Sequence, residues 1–353
     1  MPRSPTPDGL SSESPSQTKG AEITSSNTPS PRVTRREVAQ HAGVSEAVVS
    51  YTLSGAAPVA AGTAARVRAA IRELGYIPNA SARALRMGSS KLIGVIVPDA
   101  SNLFTFDLCR AVETVARRSG YDVLTMNSDG DHDRIRELVQ TLASRSVDGI
   151  LLSLVVTQED VEVLAESGLR WAVLNPTTAV PGARGVGVEL ADGARLATKH
   201  LVQHGYRRIG FVGLPEDPRF EGWSRALQEA ELERGPVFRS GFDRLEGYRA
   251  GRELARRHRE ADAVFISSDT IAHACLRALH EGGIDIPRQI AIVAFDGTAV
   301  AEYAWPALTT LKQPLDELAT RALQQLLKDP TAEPGPALAA LHGELIIRAS
   351  CGC

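Results

Sequence analysis

Val33 to Tyr51 reads as two short helices separated by a single glycine, and no other stretch limits the fold of this chain as much. Thr34 is suited to cap a first helix that places Val38, Ala39 and Ala42 on one face. Gly43 suits the left-handed turn that ends it, and Ser45 opens a second helix whose Val48 and Val49 point inward. The small Ala39, the turn at Gly43 and the inward Val49 are spaced for two helices to cross closely, as in a helix-turn-helix. Glu46, Ala47, Ser50 and Tyr51 are then left facing a major groove. A helical hairpin of an ordinary core would show the same pattern, so the residues that follow must decide.

They continue as a third amphipathic helix from about Thr63 through Val67, Ile71 and Leu74 to Gly75. Pro78 then stops one element, Asn79 can cap the next, and Ala80 to Arg86 is an Ala-rich run too short to be a stable helix alone. This whole span, Val33 to Arg86, resembles the headpiece of the lac repressor (LacI/GalR) family of bacterial transcription regulators. The resemblance implies that Asn79 begins a hinge helix that folds on operator DNA, that paired hinge helices approach at Ala82, and that Leu85 wedges into the central base step. It also marks Tyr51 as a departure, since arginine is frequent there and tyrosine cannot make the bidentate contact to guanine.

Charge is distributed to match. The chain is nearly neutral, with 39 Lys+Arg against 42 Asp+Glu. From Arg32 to Lys91, however, nine cations face only Glu37, Glu46 and Glu73, a balance of about +6 suited to phosphate. Thr34, Arg35, Arg36 and Ser45 are expected to touch DNA as well, the arginines at the phosphate backbone.

Residues 1–31 are dominated by Ser, Thr and Pro and read as a disordered tail without the apolar stretch of a secretory signal. No run is apolar enough to span a bilayer, so a cytoplasmic, nucleoid-associated protein with no membrane partner is expected. Cys109, Cys275, Cys351 and Cys353 form no ligand set with nearby histidines in sequence, and Cys351-Gly352-Cys353 looks too isolated for a site; reduced thiols and no metal or other cofactor are expected.

Beyond Lys91 strands alternate with helices. Leu92–Val97, Asp122–Met126, Gly149–Leu152, Trp171–Leu174, Arg208–Val212, Ala263–Ile266 and Ile290–Phe295 are continuous apolar runs, as expected of parallel strands covered on both faces. Eight or so such units could close a barrel. The family resemblance instead implies two doubly wound lobes like those of a periplasmic sugar-binding protein, on the signposts Asp192–Ala197 with His200-Leu201, Arg219–Trp223, Ser268-Asp269, Phe295–Gly297 and Pro306–Pro314. The expected fold is thus an all-α helix-turn-helix headpiece (32–77), a hinge and linker (78–91), and an α/β core (92–353). Lobe 1 is placed at about 92–188 and 313–328, lobe 2 at about 189–312 and 329–353.

Ligands of such folds sit at the carboxyl ends of strands, on the lobe junction. Asp99, Asn102, Asn175, Ser268, Asp269 and Asp296 follow strands, Arg219 lies in the loop after Val212, and Phe104, Phe242 or Trp305 could stack on sugar C–H groups. Any one of the polar residues could equally cap a helix. Arg219 and Asp296 match ligand positions of the family, whereas Ser268 stands where asparagine is usual and Gly297 where a second polar residue is common.

The expectation is therefore a dimeric repressor on a pseudo-palindromic operator, controlled by a sugar-like effector. The chain leaves little after Leu345–Arg348 for the extra heptad helix of tetrameric relatives. A sugar-active enzyme on the same lobes is the alternative; no Gly-x-Ser-x-Gly elbow and no glycine-rich phosphate loop after the first strand support it, and no catalytic residue is assigned. A secreted sugar-binding protein is the other, against which stand the headpiece and the missing signal.

Overall fold

The structure, a computed structural model, describes residues 33–78, 84, 88–177, 183–328 and 338–353, and falls into two units, divided in sequence after residue 79. The first unit holds α1 (Arg35–Ala42), α2 (Glu46–Ser54) and α3 (Ala61–Leu74). Thr34 and Glu37 form a capping box on α1, the hydroxyl accepting from Glu37 N–H at 3.3 Å while Glu37 accepts from Thr34 N–H at 2.6 Å. Gly43 ends α1 at φ 64°, and Val44 N–H donates to the Ala39 carbonyl at 3.0 Å, closing the tight turn before Ser45 caps α2. Val38, Ala39, Ala42, Val49, Val67, Ala70 and Tyr76 form the core, with Val48 packed against it.

The second unit contains two six-stranded sheets. The first is built from β1 (Leu92–Val97), β2 (Asp122–Asn127), β3 (Gly149–Leu152), β4 (Trp171–Leu174), β5 (Gly185–Val188) and β11 (Leu338–Leu341), in the order β11-β5-β4-β3-β1-β2 and parallel throughout. The second uses β6 (Ile209–Gly213), β7 (Val237–Arg239), β8 (Ala263–Ile266), β9 (Ala291–Asp296), β10 (Thr309–Lys312) and β12 (Glu344–Ile346), in the order β12-β10-β9-β8-β6-β7, with only β12 antiparallel. Central strands are buried end to end, which explains their unbroken apolar sequences: β9 runs Ala-Ile-Val-Ala-Phe-Asp with every residue buried. Both sheets are open and doubly wound, with a topological switch between β1 and β3 in one and β6 and β8 in the other.

The chain passes between sheets three times, at Val188–Leu190, Lys312–Leu315 and Leu341–Glu344. After the second passage the helix Leu315–Leu327 returns to pack on β3, β4 and β5. One expected boundary is corrected here. Residues 329–353 were assigned to the second lobe, but Leu338–Leu341 pairs with β5 in the first sheet, Ala340 opposite Gly187. An edge strand joins the sheet whose free edge it can hydrogen-bond, and its local sequence does not say which edge that is.

One part of the cysteine expectation is corrected: the terminal Cys351-Gly352-Cys353 is not isolated from histidines. Cys353 Sγ lies 3.1 Å from His204 Nε2 and 3.4 Å from His200 Nε2, a contact across about 150 residues that spacing in the sequence could not reveal.

Candidate functional site

The first unit presents the outward face of α2. Glu46 and Ala47 are exposed, Tyr51 is 43% exposed and Ser50 is half-buried; positions i, i+1, i+4 and i+5 share one side of a helix. Val49, fully buried, anchors the opposite side. Thr34 and Ser45 both use their hydroxyl oxygens as caps, Ser45 accepting from Val48 N–H at 3.4 Å, so they set helix ends before any contact with DNA. Arg36 is exposed; Arg35 is half-buried, and its buried Nε has no hydrogen-bond partner among the described residues. Both arginines occupy the first turn of α1, the end where a helix dipole disfavours cations and favours an anion such as phosphate. Asn79, Ala82 and Leu85 lie outside the described residues.

In the second unit a cavity of about 630 Å³ opens between the two sheets. Asn102, Phe104, Asn175, Arg219, Phe242 and Asp296 all line it, brought together from both lobes. Arg219 lies on α8 (Pro218–Glu229; helices are numbered in chain order, α4 being Leu103–Arg118 and α7 Leu190–Gln203) and is 6% exposed. Asp217 caps α8 and holds Arg219 bidentately, accepting from Nε at 2.7 Å and Nη2 at 3.0 Å; Nη1 donates to the Ser267 carbonyl at 2.8 Å. Of the five guanidinium N–H groups three are thus committed among the described residues. The Phe242 and Phe295 rings lie 4.9 Å and 5.1 Å from the guanidinium carbon.

Burial opposes the charge of Arg219, but Asp217 and Asp296 outweigh it and keep its pKa above the ordinary value. Asp296 is different. Its Oδ1 is 3.8 Å from Arg219 Nη1, too far for a hydrogen bond, so burial wins and holds its carboxyl well above the usual range, the Arg219 charge opposing and Asp269 adding to the rise. Its backbone is held at φ 115°, an unfavourable conformation for a residue with a side chain.

A relay of side-chain amides crosses the cleft. Val188 N–H donates to Asn175 Oδ1 at 3.1 Å, Asn175 Nδ2 to Gln313 Oε1 at 2.9 Å, and Gln313 Nε2 to Asp296 Oδ1 at 2.9 Å. A second bridge joins the lobes where Asn102 Nδ2 donates to the Phe242 carbonyl at 3.0 Å and Arg244 Nη2 to the Ser101 carbonyl at 3.1 Å.

Several sequence assignments change. Asn102 lines the cavity, but its Oδ1 caps α4, accepting from Phe104 and Thr105 N–H. Ser268 and Asp269 are not among the residues that line the cavity. Ser268 caps the helix Asp269–Glu281, and Asp269 accepts from Thr298 and Thr310 behind the site. Trp305 is 92% exposed and is not among the residues that line the cavity. Asp217 and Gln313 were missed, although Asp217-Pro218 is a recognisable helix start and Gln313 lies inside the Pro306–Pro314 signpost.

Among the described residues no helix is long and apolar enough to cross a membrane. Residues 34–79 match the family of bacterial regulatory proteins, lacI family, and residues 198–351 match a periplasmic binding protein-like domain. The chain is 33% identical to the ribose operon repressor of Halalkalibacterium halodurans over 85% of its own length and 91% of that repressor. It is 30% identical to the transcriptional repressor PurR of Pasteurella multocida over 90% of its length and 98% of PurR. A solved complex of the transcriptional regulator CelR with cellobiose superposes with a TM-score of 0.67 at 28% identity, covering 90% of this chain and all of that one. A helix-turn-helix headpiece joined to a cleft between two doubly wound lobes, with identity of this extent to whole repressors, places the chain in the lacI family of bacterial regulatory proteins, which regulate transcription and are not enzymes.

Proposed function

We infer that this chain is a repressor that reads a pseudo-palindromic operator as a homodimer in the bacterial cytoplasm, at the nucleoid, and answers to a small, neutral, polyhydroxylated effector in the interlobe cleft. The observation that carries the effector class is the charge of the cleft. Asp99, Asp129, Glu216, Asp217, Asp243 and Asp296 line it with one lining cation among the described residues, Arg219; Asp217 pairs with Arg219, Asp129 with Arg134 and Glu216 with Arg239, and burial favours the neutral form of Asp296, so no lining cation is left unmatched. A phosphorylated ligand would find no unmatched cation among the lining residues, while hydroxyls can accept from Arg219 N–H groups and donate to carboxylates, with Phe104 and Phe242 against the ring C–H faces. The cellobiose complex of CelR agrees in ligand class.

On the DNA side, Glu46, Ala47, Ser50 and Tyr51 meet base edges and Arg35 and Arg36 meet phosphate; Asn79, Ala82 and Leu85 supply the hinge that enters the minor groove. Arg219, Asp296, Asn175, Phe104 and Phe242 hold the effector, with Asn102 and Gln313 positioning the lobes. An effector that prefers one lobe arrangement changes operator affinity by the difference of its affinities for the two.

Genome-wide mapping of bound DNA supplies the operator, and titration of that duplex and a scrambled one tests the reading. The operator is expected to bind at least about 1,000-fold more tightly, and a neutral sugar to shift that affinity. Arg219→Ala abolishes the shift and leaves operator affinity without sugar unchanged. Leu85→Ala weakens operator binding by about 1 to 3 kcal/mol without altering the salt slope. Equal binding of both duplexes would refute the DNA reading, and a response confined to phosphorylated sugars would refute the effector class.

A further inference from the structure

One cluster of ligating side chains plays no part in either site. His200 and His204 are four apart at the end of α7, so their rings lie on one face, with centroids 4.6 Å apart. The segment after β12 comes back against them. Ser350 Oγ donates to the Ile292 carbonyl at 2.7 Å and accepts from Thr309 N–H at 2.9 Å, and Tyr206 Oη donates to the Cys351 carbonyl at 3.1 Å. Gly352, at φ 89°, turns the chain so that Cys353 faces α7.

The donor atoms His200 Nε2, His204 Nε2 and Cys353 Sγ all lie within 4.8 Å of one another. We propose that these three residues bind a single zinc-class transition-metal ion. Bonds of about 2.1 Å to nitrogen and 2.3 Å to sulfur at a tetrahedral angle put the two donors roughly 3.6 Å apart. The observed sulfur-to-nitrogen distances of 3.1 Å and 3.4 Å therefore need to open only slightly around an ion. The buried Cys351 thiol, its Sγ 2.8 Å from that of Cys353, is the nearest further donor. Imidazole and thiolate are borderline-to-soft ligands, which selects zinc and its neighbours over magnesium or calcium. Two histidines at i and i+4 of a helix are a known way to present ligands to such an ion.

His200 is buried while His204 and Cys353 are exposed, so the site is both supported from below and open to entry of an ion. Binding would tie α7 to the 349–353 segment. This inference does not depend on the effector or the operator.

The test uses the full chain, stripped with a chelator, reduced, and titrated with cobalt(II) as a spectroscopic stand-in. One ion per chain is expected, with tetrahedral d–d bands and a sulfur-to-cobalt charge-transfer band, both removed by added zinc. Cys353→Ser removes the charge-transfer band, and both Cys353→Ser and His204→Ala, at exposed positions, lower zinc affinity by more than about 100-fold, the upper end of what loss of a merely supporting residue costs. The proposal is overturned by the absence of saturable binding, by unchanged affinity in both variants, or by an intact mass showing that the protein as isolated has Cys351 and Cys353 joined in a disulfide.

Discussion

Asp269 lies behind the effector cleft, near the Asp296 carboxyl, and accepts from Thr298 N–H at 2.7 Å and hydroxyl at 2.9 Å on one oxygen and from the Thr310 hydroxyl at 2.6 Å on the other. Burial nevertheless lifts its carboxyl from an ordinary 3.8 to about 6, the hydrogen bonds and the Arg348 charge opposing the rise. Between these values the folded protein holds a proton that the unfolded chain has released. Stability from this group is therefore full below about pH 4 and is lost as pH rises through about 6. Asp269→Asn keeps an acceptor for Thr298 and removes the titration, so the stability of the wild type relative to this variant should fall by up to about 3 kcal/mol between pH 4 and 6.5. Urea unfolding at a series of pH values, followed by tryptophan fluorescence, checks this; a pH-independent difference would remove Asp269 as the titrating group. Sequence reading placed Asp269 among the ligand residues because a carboxylate after a strand looks the same whether it faces a ligand or a neighbouring strand. Arg219 and Asp296 were legible through family resemblance, whereas the half-committed state of the Arg219 guanidinium depends on Asp217 and on the Ser267 carbonyl, a partner 48 residues away.

At the scale of elements, the tightest helix contact is that of α7 on α8, where Gly222 faces the backbone of Ala191. A Cβ at Gly222 would collide with the Ala191 carbonyl oxygen and lie 2.9 Å from Ala194 Cβ. Backbone cannot yield as a flexible side chain can, so Gly222→Ala should destabilise the core by about 3 kcal/mol. The expected result is a lower urea midpoint with an unchanged slope, while the headpiece, a separate unit, keeps its operator contacts. A midpoint equal to that of the wild type would show that the two helices separate without cost. Because α8 carries Arg219 and α7 carries His200, this contact also sets the cleft residue Arg219 and the histidine pair in one frame. The apolar runs made the individual strands and helices legible, but the destination of Leu338–Leu341 was not, since pairing on a free edge is decided by what lies beside it.

For the whole molecule, one headpiece reads one half-site, and specific affinity follows when two are joined by a two-fold axis. The protein is expected to sediment as a dimer, twice 37.7 kDa, at micromolar concentration and with operator bound. A monomer mass on the operator would refute the paired half-site arrangement. Gln313 belongs to this scale too, because it sits where the chain crosses from the second sheet to the first and its amide links Asn175 to Asp296.

Local chemistry is what the sequence by itself determined. Caps, the glycine turn, helical and strand periodicity and the basic bias of residues 32–91 are short-range properties, each visible within a window of a few residues, and together with the family's signposts they specify a DNA-reading headpiece and a two-lobed core. Tertiary structure alone decided which polar groups remain for ligands and which are consumed by caps and relays. It also decided which sheet takes the strand at 338–341 and that Cys353 meets His200 and His204. Those outcomes depend on contacts between residues far apart in the chain, and the physical reason is that a hydrogen-bond donor or a ligand atom is spent or free only with respect to its neighbours in space.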